Sequence, residues 1–318
     1  MKSIINILCA TDSNYAALCG IMLTSLFENN KNSTFNIYIL TDGITNEDQK
    51  KLERLTSSNN ADLSIIKLNA SDFSNCPIWP GDHLSTAAYY RLMVSELLPK
   101  SINKVLYIDC DIIVNDSIQA LWEQNIEDVA IGAVLDAEFF NSEFYQRLQI
   151  KNKNQYFNSG VLLINLEYWR RKNVVKRCFE CIEKNKHLLR FHDQDTLNMV
   201  LQEEVTILPI KYNLQTPFLM TCFSSNYINI MPEIKQAIQR PCIIHYIGSG
   251  KPWNGKISNH PFKSYFHHYK NLSAWKNVDI SKTKAPISSL MIWYINNILW
   301  FLKLKKEPNI YIIHRKRI

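Results

Sequence analysis

The 318-residue sequence contains no internal repeat and no low-complexity tract, and its 46% hydrophobic and 20% charged residues are ordinary proportions. Collagen-like arrays and disordered chains are therefore excluded, and a folded chain with room for a catalytic domain plus an appendage is expected. No secretory leader is expected either. Ile4 to Ala10 is apolar and follows Lys2, but the run is short, has no small-residue cleavage pattern behind it, and passes directly into Thr11-Asp12-Ser13-Asn14. A first β-strand accounts for it better, and a cytoplasmic protein is expected. Eight scattered cysteines in a chain this long do not make a disulfide framework, so a reducing compartment is the simpler reading. Cys178 and Cys181 form a CxxC with no second ligand pair, which gives neither zinc nor redox chemistry.

Most of the chain also lacks net charge. The total is +7, yet eight of the 36 basic residues and only one of the 29 acidic residues lie from Lys282 onward, which leaves the body neutral. Charge confined to a tail points to a local anionic partner such as a membrane surface, and away from a body that wraps nucleic acid.

What the sequence does have is an alternation of short apolar runs with segments of helical period. IINILCA, FNIYIL, LSIIKL, KVLYIDCDIIV, IGAVLD, GVLLINL and PCIIHYIG read as strands; residues 15–29, 46–57, 87–98 and 193–201 read as helices. Such alternation predicts an α/β fold with a mostly parallel sheet and helices on both faces. Ligands of such sheets sit beyond the carboxyl ends of the strands, which directs attention to residues 11–14 and 109–111.

Asp109-Cys110-Asp111 is the most informative motif. Two carboxylates at i and i+2 of an extended chain point to one side, and beside an apolar strand they need a positive charge between them. Oxygen ligands of this kind suit magnesium or manganese bound together with substrate phosphates. His245 adds an imidazole acceptable to manganese, and Lys251, beyond Gly248 and Gly250, can reach a diphosphate. Two solvated surface acids and a core histidine are the plainer alternatives. A phosphatase with Asp109 as nucleophile is another, although such motifs usually open their domain and no acidic pair in a downstream Gly-rich turn is present to complete the site.

Six blocks carry a family resemblance: ILCATDSNY, STAAYYRLMVSELLP, VLYIDCDIIV, YFNSGVLLINLEYWR, FHDQDTLN and IIHYIGSGKPW. In this order and spacing the chain resembles glycosyltransferase family 8, the family of glycogenin and of bacterial lipopolysaccharide glucosyl- and galactosyltransferases, over about residues 4–266. The resemblance implies a GT-A, Rossmann-like nucleotide-sugar fold over residues 1–270, with a basic, aromatic-rich tail over 271–318. It implies a retaining transferase using UDP-glucose or UDP-galactose with Mn2+ or Mg2+. Asp109, Asp111 and His245 then look like metal ligands, with Cys110 between them in the donor site. Ala10, Asp12 and Asn14 match uridine and ribose positions, and Gly248 and Lys251 match diphosphate contacts. Arg91, Asn158, Asp193 and Gln194 match positions around the donor sugar, and Gln194 and Asp193 are the expected catalytic pair. His83 and Asp136 fall near the acceptor side. Local alternatives remain: Asp12, Asn14 and Asp193 as helix caps, Arg91 as a surface cation, and Asn158 as a turn former beside Gly160. Tyr89 and Tyr90 read as packing residues. An inactive membrane-bound sugar-nucleotide binder is the remaining alternative to a transferase.

In the tail, Ile287 to Leu304 is rich in Ile, Leu, Trp and Tyr, with Ser289, Asn296 and Lys303 spaced seven apart as a polar stripe. Asn296 and Asn297 in its middle favour a helix lying in the membrane interface over one that spans it. Flanking basic residues add about 1 kcal/mol each against anionic lipid. An acceptor anchored in that membrane, such as a lipid-linked glycan at the cytoplasmic face, follows from this arrangement. Deleting Lys282 to Ile318 is expected to release the protein from membranes and leave donor-sugar hydrolysis intact; a truncated chain that still sediments with membranes would refute the tail assignment.

Overall fold

The computed structural model describes residues 4–78, 86–151, 155–220, 227–248, 250–254 and 260–280. The expectations for His83 and for the tail from residue 281 onward lie outside the described residues.

In chain order the elements are β1 (Ile5–Ala10), α1 (Ala16–Asn29), β2 (Phe35–Thr41), α2 (Asn46–Ser57), β3 (Asp62–Lys67), α3 (Ala87–Tyr90), α4 (Val94–Leu97), β4 (Lys104–Ile108), β5 (Ile112–Val114), α5 (Gln119–Trp122) and β6 (Ile131–Leu135). They continue with α6 (Ser142–Leu148), β7 (Phe157–Asn165), α7 (Leu166–Arg171), α8 (Val174–Asn185), α9 (His192–Val200), β8 (Val205–Ile207), β9 (Leu214–Gln215), α10 (Met231–Gln239), β10 (Ile243–His245) and α11 (Lys263–Leu272). Seven strands form one sheet in the order β3-β2-β1-β4-β7-β6-β8. It is mostly parallel; β7 alone runs against both of its neighbours, β4 and β6. A second sheet of three strands, β5-β10-β9, stands beside it.

Two expectations are corrected. VLYIDCDIIV is not one strand: the chain bends at 109–111, so β4 belongs to the large sheet and β5 to the small one. The helix expected over 87–98 is broken into α3 and α4 by a 3-10 turn, Arg91–Met93. That break lies where the Arg91 side chain turns inward, at 5% exposure.

One hydrophobic cluster packs α1, α11 and the small sheet on one face of the large sheet, and a second packs α3, α4, α7, α8 and α9 on the other. α1 is apolar nearly all round, and eleven of its fourteen residues are buried, as a helix enclosed on several sides requires. α2 is amphipathic and starts with a local cap, the Thr45 hydroxyl accepting from the Asp48 amide at 3.0 Å.

The packed body runs on past residue 270. Trp275 is fully buried, donates its indole N–H to Asp48 Oδ1 at 2.7 Å, and lies where a Cβ on Gly20 would come within 2.1 Å of its ring. His260 ties the same segment to the chain leaving β9, since its Nε2 lies 3.2 Å from Thr216 Oγ1 and its Nδ1 accepts from the Phe262 amide at 3.2 Å. Burial, aided by Lys251, pulls the His260 pKa from 6.5 down to about 3. The unfolded chain thus binds a proton that the folded chain refuses, and stability falls as pH drops from about 6.5 towards 3. Replacing Trp275 with Ala should cost about 3–5 kcal/mol in chemical denaturation, whereas a loss below about 1 kcal/mol would show that residues 273–280 are not part of the body.

Candidate active site

The site is built at the carboxyl ends of β1 and β4. Because β7 runs antiparallel to β4, its first residues lie next to the last residues of β4: Ile108 pairs with Val161, and the Asp109 amide donates to Gly160 O at 2.8 Å. On the other side of the bend, His245 of β10 pairs with Ile112 of β5, and the Tyr246 amide donates to Asp111 O at 3.0 Å. Two sheets therefore deliver three side chains to one point. Single ligand atoms of Asp109, Asp111 and His245 all lie within 4.8 Å of one another. His245 Nε2 is 3.2 Å from Asp111 Oδ1 and 4.0 Å from Asp109 Oδ2.

Gly160 makes this approach feasible. A Cβ there would stand 2.3 Å from His245 Cε1 and 2.8 Å from Asp109 Oδ2, contacts that no side chain tolerates.

Each carboxylate has a cation. The Arg91 guanidinium donates to Asp109 Oδ1 at 2.9 Å, pairs through Nε with Asp193 Oδ2 at 3.1 Å, and lies over the Tyr107 ring with 4.1 Å to the centroid. Tyr107 Oη also donates to Asp109 Oδ1, at 2.7 Å. Burial disfavours the guanidinium charge, but Asp109 and Asp193 more than offset it and raise its pKa. The surface-cation reading of Arg91 is thereby corrected. Lys251 Nζ donates to Asp111 Oδ2 and to Tyr246 O. Burial opposes the Asp111 charge, yet Lys251 holds its carboxyl far below the usual range.

A web of side-chain amides extends from this point. Gln194 Oε1 accepts from the Ser159 amide at 3.0 Å and from Asn158 Nδ2 at 3.1 Å, while its Nε2 donates to Asp136 Oδ2 at 3.1 Å and to Tyr156 Oη at 3.2 Å. Asn158 Oδ1 accepts from the Gly160 amide at 3.0 Å and from Asn213 Nδ2 at 2.8 Å. Asn213 Oδ1 in turn lies 2.9 Å from His245 Nδ1. Asn158 is thus a buried strand residue, and the turn-former reading is corrected. Burial raises the pKa of both Asp136 and Asp193.

The structure thus brings together Arg91, Asp109, Asp111, Asn158, Asp193, Gln194, His245 and Lys251, with Asp136 joined through Gln194. Asp12 Oδ1 accepts from the amides of Asn14 and Tyr15 at 2.8 and 2.9 Å, closing a turn ahead of α1, whose own N-cap, Tyr15, has no side-chain cap, so the helix-cap alternative for Asp12 is corrected. Asn14 is exposed. Ala10 joins the centre through Cys110, whose thiol donates to Ala10 O at 3.2 Å. Gly248 takes φ 78°, a left-handed conformation suited to glycine, on the way to Lys251. The helix-cap alternative for Asp193 is corrected: α9 has no side-chain cap of its own, and it is Asp195 that accepts the Arg190 and Phe191 amides, at 2.7 and 2.8 Å. Sequence reasoning missed Asn213 and Tyr107 and gave Gly160 no site role. A glycine just before the apolar run VLLINL was a usable sign of close approach; Asn213, at a bend just ahead of a strand of two residues, gave none.

A largely parallel α/β sheet, with an acid pair after β4 facing an imidazole, is the GT-A-like architecture of a glycosyltransferase. The model for "Glycosyl transferase family 8" matches residues 6–256, and the chain belongs to that family. It is 28% identical to general stress protein A of Bacillus subtilis, covering 86% of this chain and 96% of that one. It is 27% identical to a lipopolysaccharide 1,2-glucosyltransferase of Escherichia coli, covering 87% and 81%. The fold is similar to that of the galactosyltransferase LgtC solved with donor and acceptor sugar analogues, with TM-score 0.76, 26% identity, and 85% and 96% of the two chains covered.

Substituting Gly160 with Ala should push His245 and Asp109 apart and lower sugar-nucleotide turnover by about 100-fold, on the order expected when reacting groups shift by an ångström. Unchanged turnover would mean that the three side chains need not meet.

Proposed function

We propose that the protein is a retaining, metal-dependent hexosyltransferase that moves glucose or galactose from a UDP-sugar to a hydroxyl of a cell-envelope glycan such as lipopolysaccharide core. The observation that carries this reading is the convergence of Asp109, Asp111 and His245 in a family 8 chain. Two carboxylates and one imidazole fit a divalent ion, and the imidazole favours manganese over magnesium. When bound, such an ion stabilises the negative charge that develops on the departing diphosphate.

The remaining work falls to the chain itself. Residues Ala10, Asp12 and Asn14 hold the uridine and ribose beyond β1. Lys251, carried past Gly248, now bonds Asp111 and would reach the diphosphate of a bound donor, with Asp109, Asp111 and His245 as the residues that would hold the ion. Arg91, Asn158, Asp193 and Gln194 surround the donor sugar. Gln194 is an amide, a poor nucleophile, and its hydrogen bonds to Ser159, Asn158, Asp136 and Tyr156 hold it still. Retention then follows from a short-lived oxocarbenium-like sugar attacked by the acceptor hydroxyl on the face that UDP leaves, with Asp193 binding sugar hydroxyls and with His83 and Asp136 on the acceptor side. A covalent glycosyl adduct trapped on Gln194 or Asp193 would refute that route.

A lipid-linked acceptor gives the basic tail its purpose: reversible attachment to the cytoplasmic face of the inner membrane through the segment from Lys282 onward. Among the described residues no helix is long and apolar enough to cross a membrane. The names of the glucosyltransferase and galactosyltransferase relatives support a hexose donor in envelope synthesis.

UDP release from UDP-glucose and UDP-galactose is the deciding measurement. It should require manganese, stop with EDTA, fall by about 100-fold or more in Asp111→Asn, and rise when a crude lipid-glycan acceptor is added. Phosphate release from simple phosphomonoesters without UDP release would make Asp109 a phosphatase nucleophile and overturn the reading.

A further inference from the structure

The amide web assigns a proton. Hydrogen-bond polarity along a chain of side-chain amides is ambiguous until one end is fixed by a group that can only donate or only accept, and two backbone N–H groups do so here. The Gly160 amide donates at 3.0 Å to the Asn158 side chain, so the receiving atom is the Asn158 oxygen. The Ser159 amide likewise fixes the Gln194 oxygen, at 3.0 Å. With its oxygen so placed, Asn158 meets Asn213 at 2.8 Å through that oxygen, and Asn213 must present its NH2. The other arm of the Asn213 amide, its oxygen, then faces His245 Nδ1 at 2.9 Å. An oxygen accepts, so Nδ1 carries the proton. A neutral His245 ring is left with its lone pair on Nε2, the atom aimed at Asp111 and Asp109.

We propose that Asn213 is a positioning residue that holds His245 as the Nδ1–H tautomer with Nε2 directed between the two aspartates. This rests on the metal-dependent reading above and deepens it. Asn213 is fully buried, and it touches neither aspartate in any hydrogen bond of the described residues; its effect passes through the imidazole. Its backbone is fixed independently: the Asn213 amide donates to Ile210 O at 3.0 Å, and β9, which begins at the next residue, pairs Leu214 and Gln215 with Ile244 and His245. The main chain that carries the side-chain amide is therefore held by the small sheet, and the amide itself is held by Asn158 and His245. Oriented second partners of this kind change metal affinity by about 10- to 100-fold when removed.

The test uses full-length protein with 15N-labelled histidine, without added metal and above the titration range of imidazole, with the His245 signals identified by their loss in His245→Gln. Ring nitrogen shifts read the tautomer directly, Mn(II) titration followed by electron paramagnetic resonance reads affinity, and a thermal melt reports folding. Wild type and Asn213→Asp, which keeps an acceptor for Nδ1–H, should show the proton on Nδ1. Asn213→Leu should show a mixture containing the Nε2–H form, with Mn(II) affinity lower by about 10- to 100-fold. An Nε2–H ring in wild type, or a leucine variant with wild-type tautomer and affinity, overturns the proposal. If the leucine variant does not fold, Asn213→Asp decides: loss of the Nδ1–H form there overturns it. A wild-type protein that holds the Nδ1–H ring yet binds no Mn(II) defeats the metal reading while the positioning role stands on the ring shifts.

Discussion

Asp109 and Asp111 are two carboxylates separated by one residue at the end of a buried strand, and like charges so placed repel unless cations are supplied at fixed points. The two cations are Arg91, brought in by the break between α3 and α4, and Lys251, brought in by the turn through Gly248; His245 is carried to the same point by a strand of a different sheet. Each of these three costs something in regular structure: a helix is interrupted, a left-handed glycine is needed, and a second sheet is required. The fold around the aspartates is best understood as the set of elements that places those three groups.

The bend at 109–111 is the geometric consequence. A single continuous strand would carry Asp111 away along the sheet edge, out of reach of anything standing over β4. By leaving the large sheet at Asp109 and entering the small one at Ile112, the chain places both carboxylates in the seam between two sheets, and the opposing strand β10 delivers the imidazole into that seam. The seam closes this tightly because Gly160 has no side chain. Behind it, the amides of Asn158, Gln194 and Asn213 leave little freedom: each donor and acceptor is already committed, so the polar groups facing the expected sugar donor are rigid before anything binds. Rigid, oriented dipoles at a place where charge will develop are what a transfer reaction needs from its protein.

Much of this was legible in the chain. The alternation of apolar runs and helical segments predicted the mostly parallel sheet, since burial on both faces demands unbroken apolar strands; β1, β4, β6 and β10 formed within the runs so read, while β2 extends past its run to Thr41 and β7 begins ahead of its run at Phe157. Asp109, Asp111, His245, Arg91 and Gln194 could be selected because each is a polar or charged residue set in an apolar block or in a block whose order matched a known family. The bend within VLYIDCDIIV was not legible, because β-branched residues on both sides of the acids look the same whether the two strands share a sheet or not. Nor was Asn213, which owes its place to a two-residue strand paired with residues about thirty positions away.

The sequence by itself determined which local elements form, which strand ends bear acids, and that the excess positive charge sits from Lys282 onward, because propensity, periodicity and charge are properties of neighbouring residues. Only the tertiary structure decided that β7 runs against β4, that His245 meets both aspartates, that Lys251 rests on Asp111, and that residues 271–280 belong to the packed body. Those outcomes depend on pairings between segments far apart in the chain, and long-range pairings are selected by the fit of buried surfaces, which no local pattern encodes.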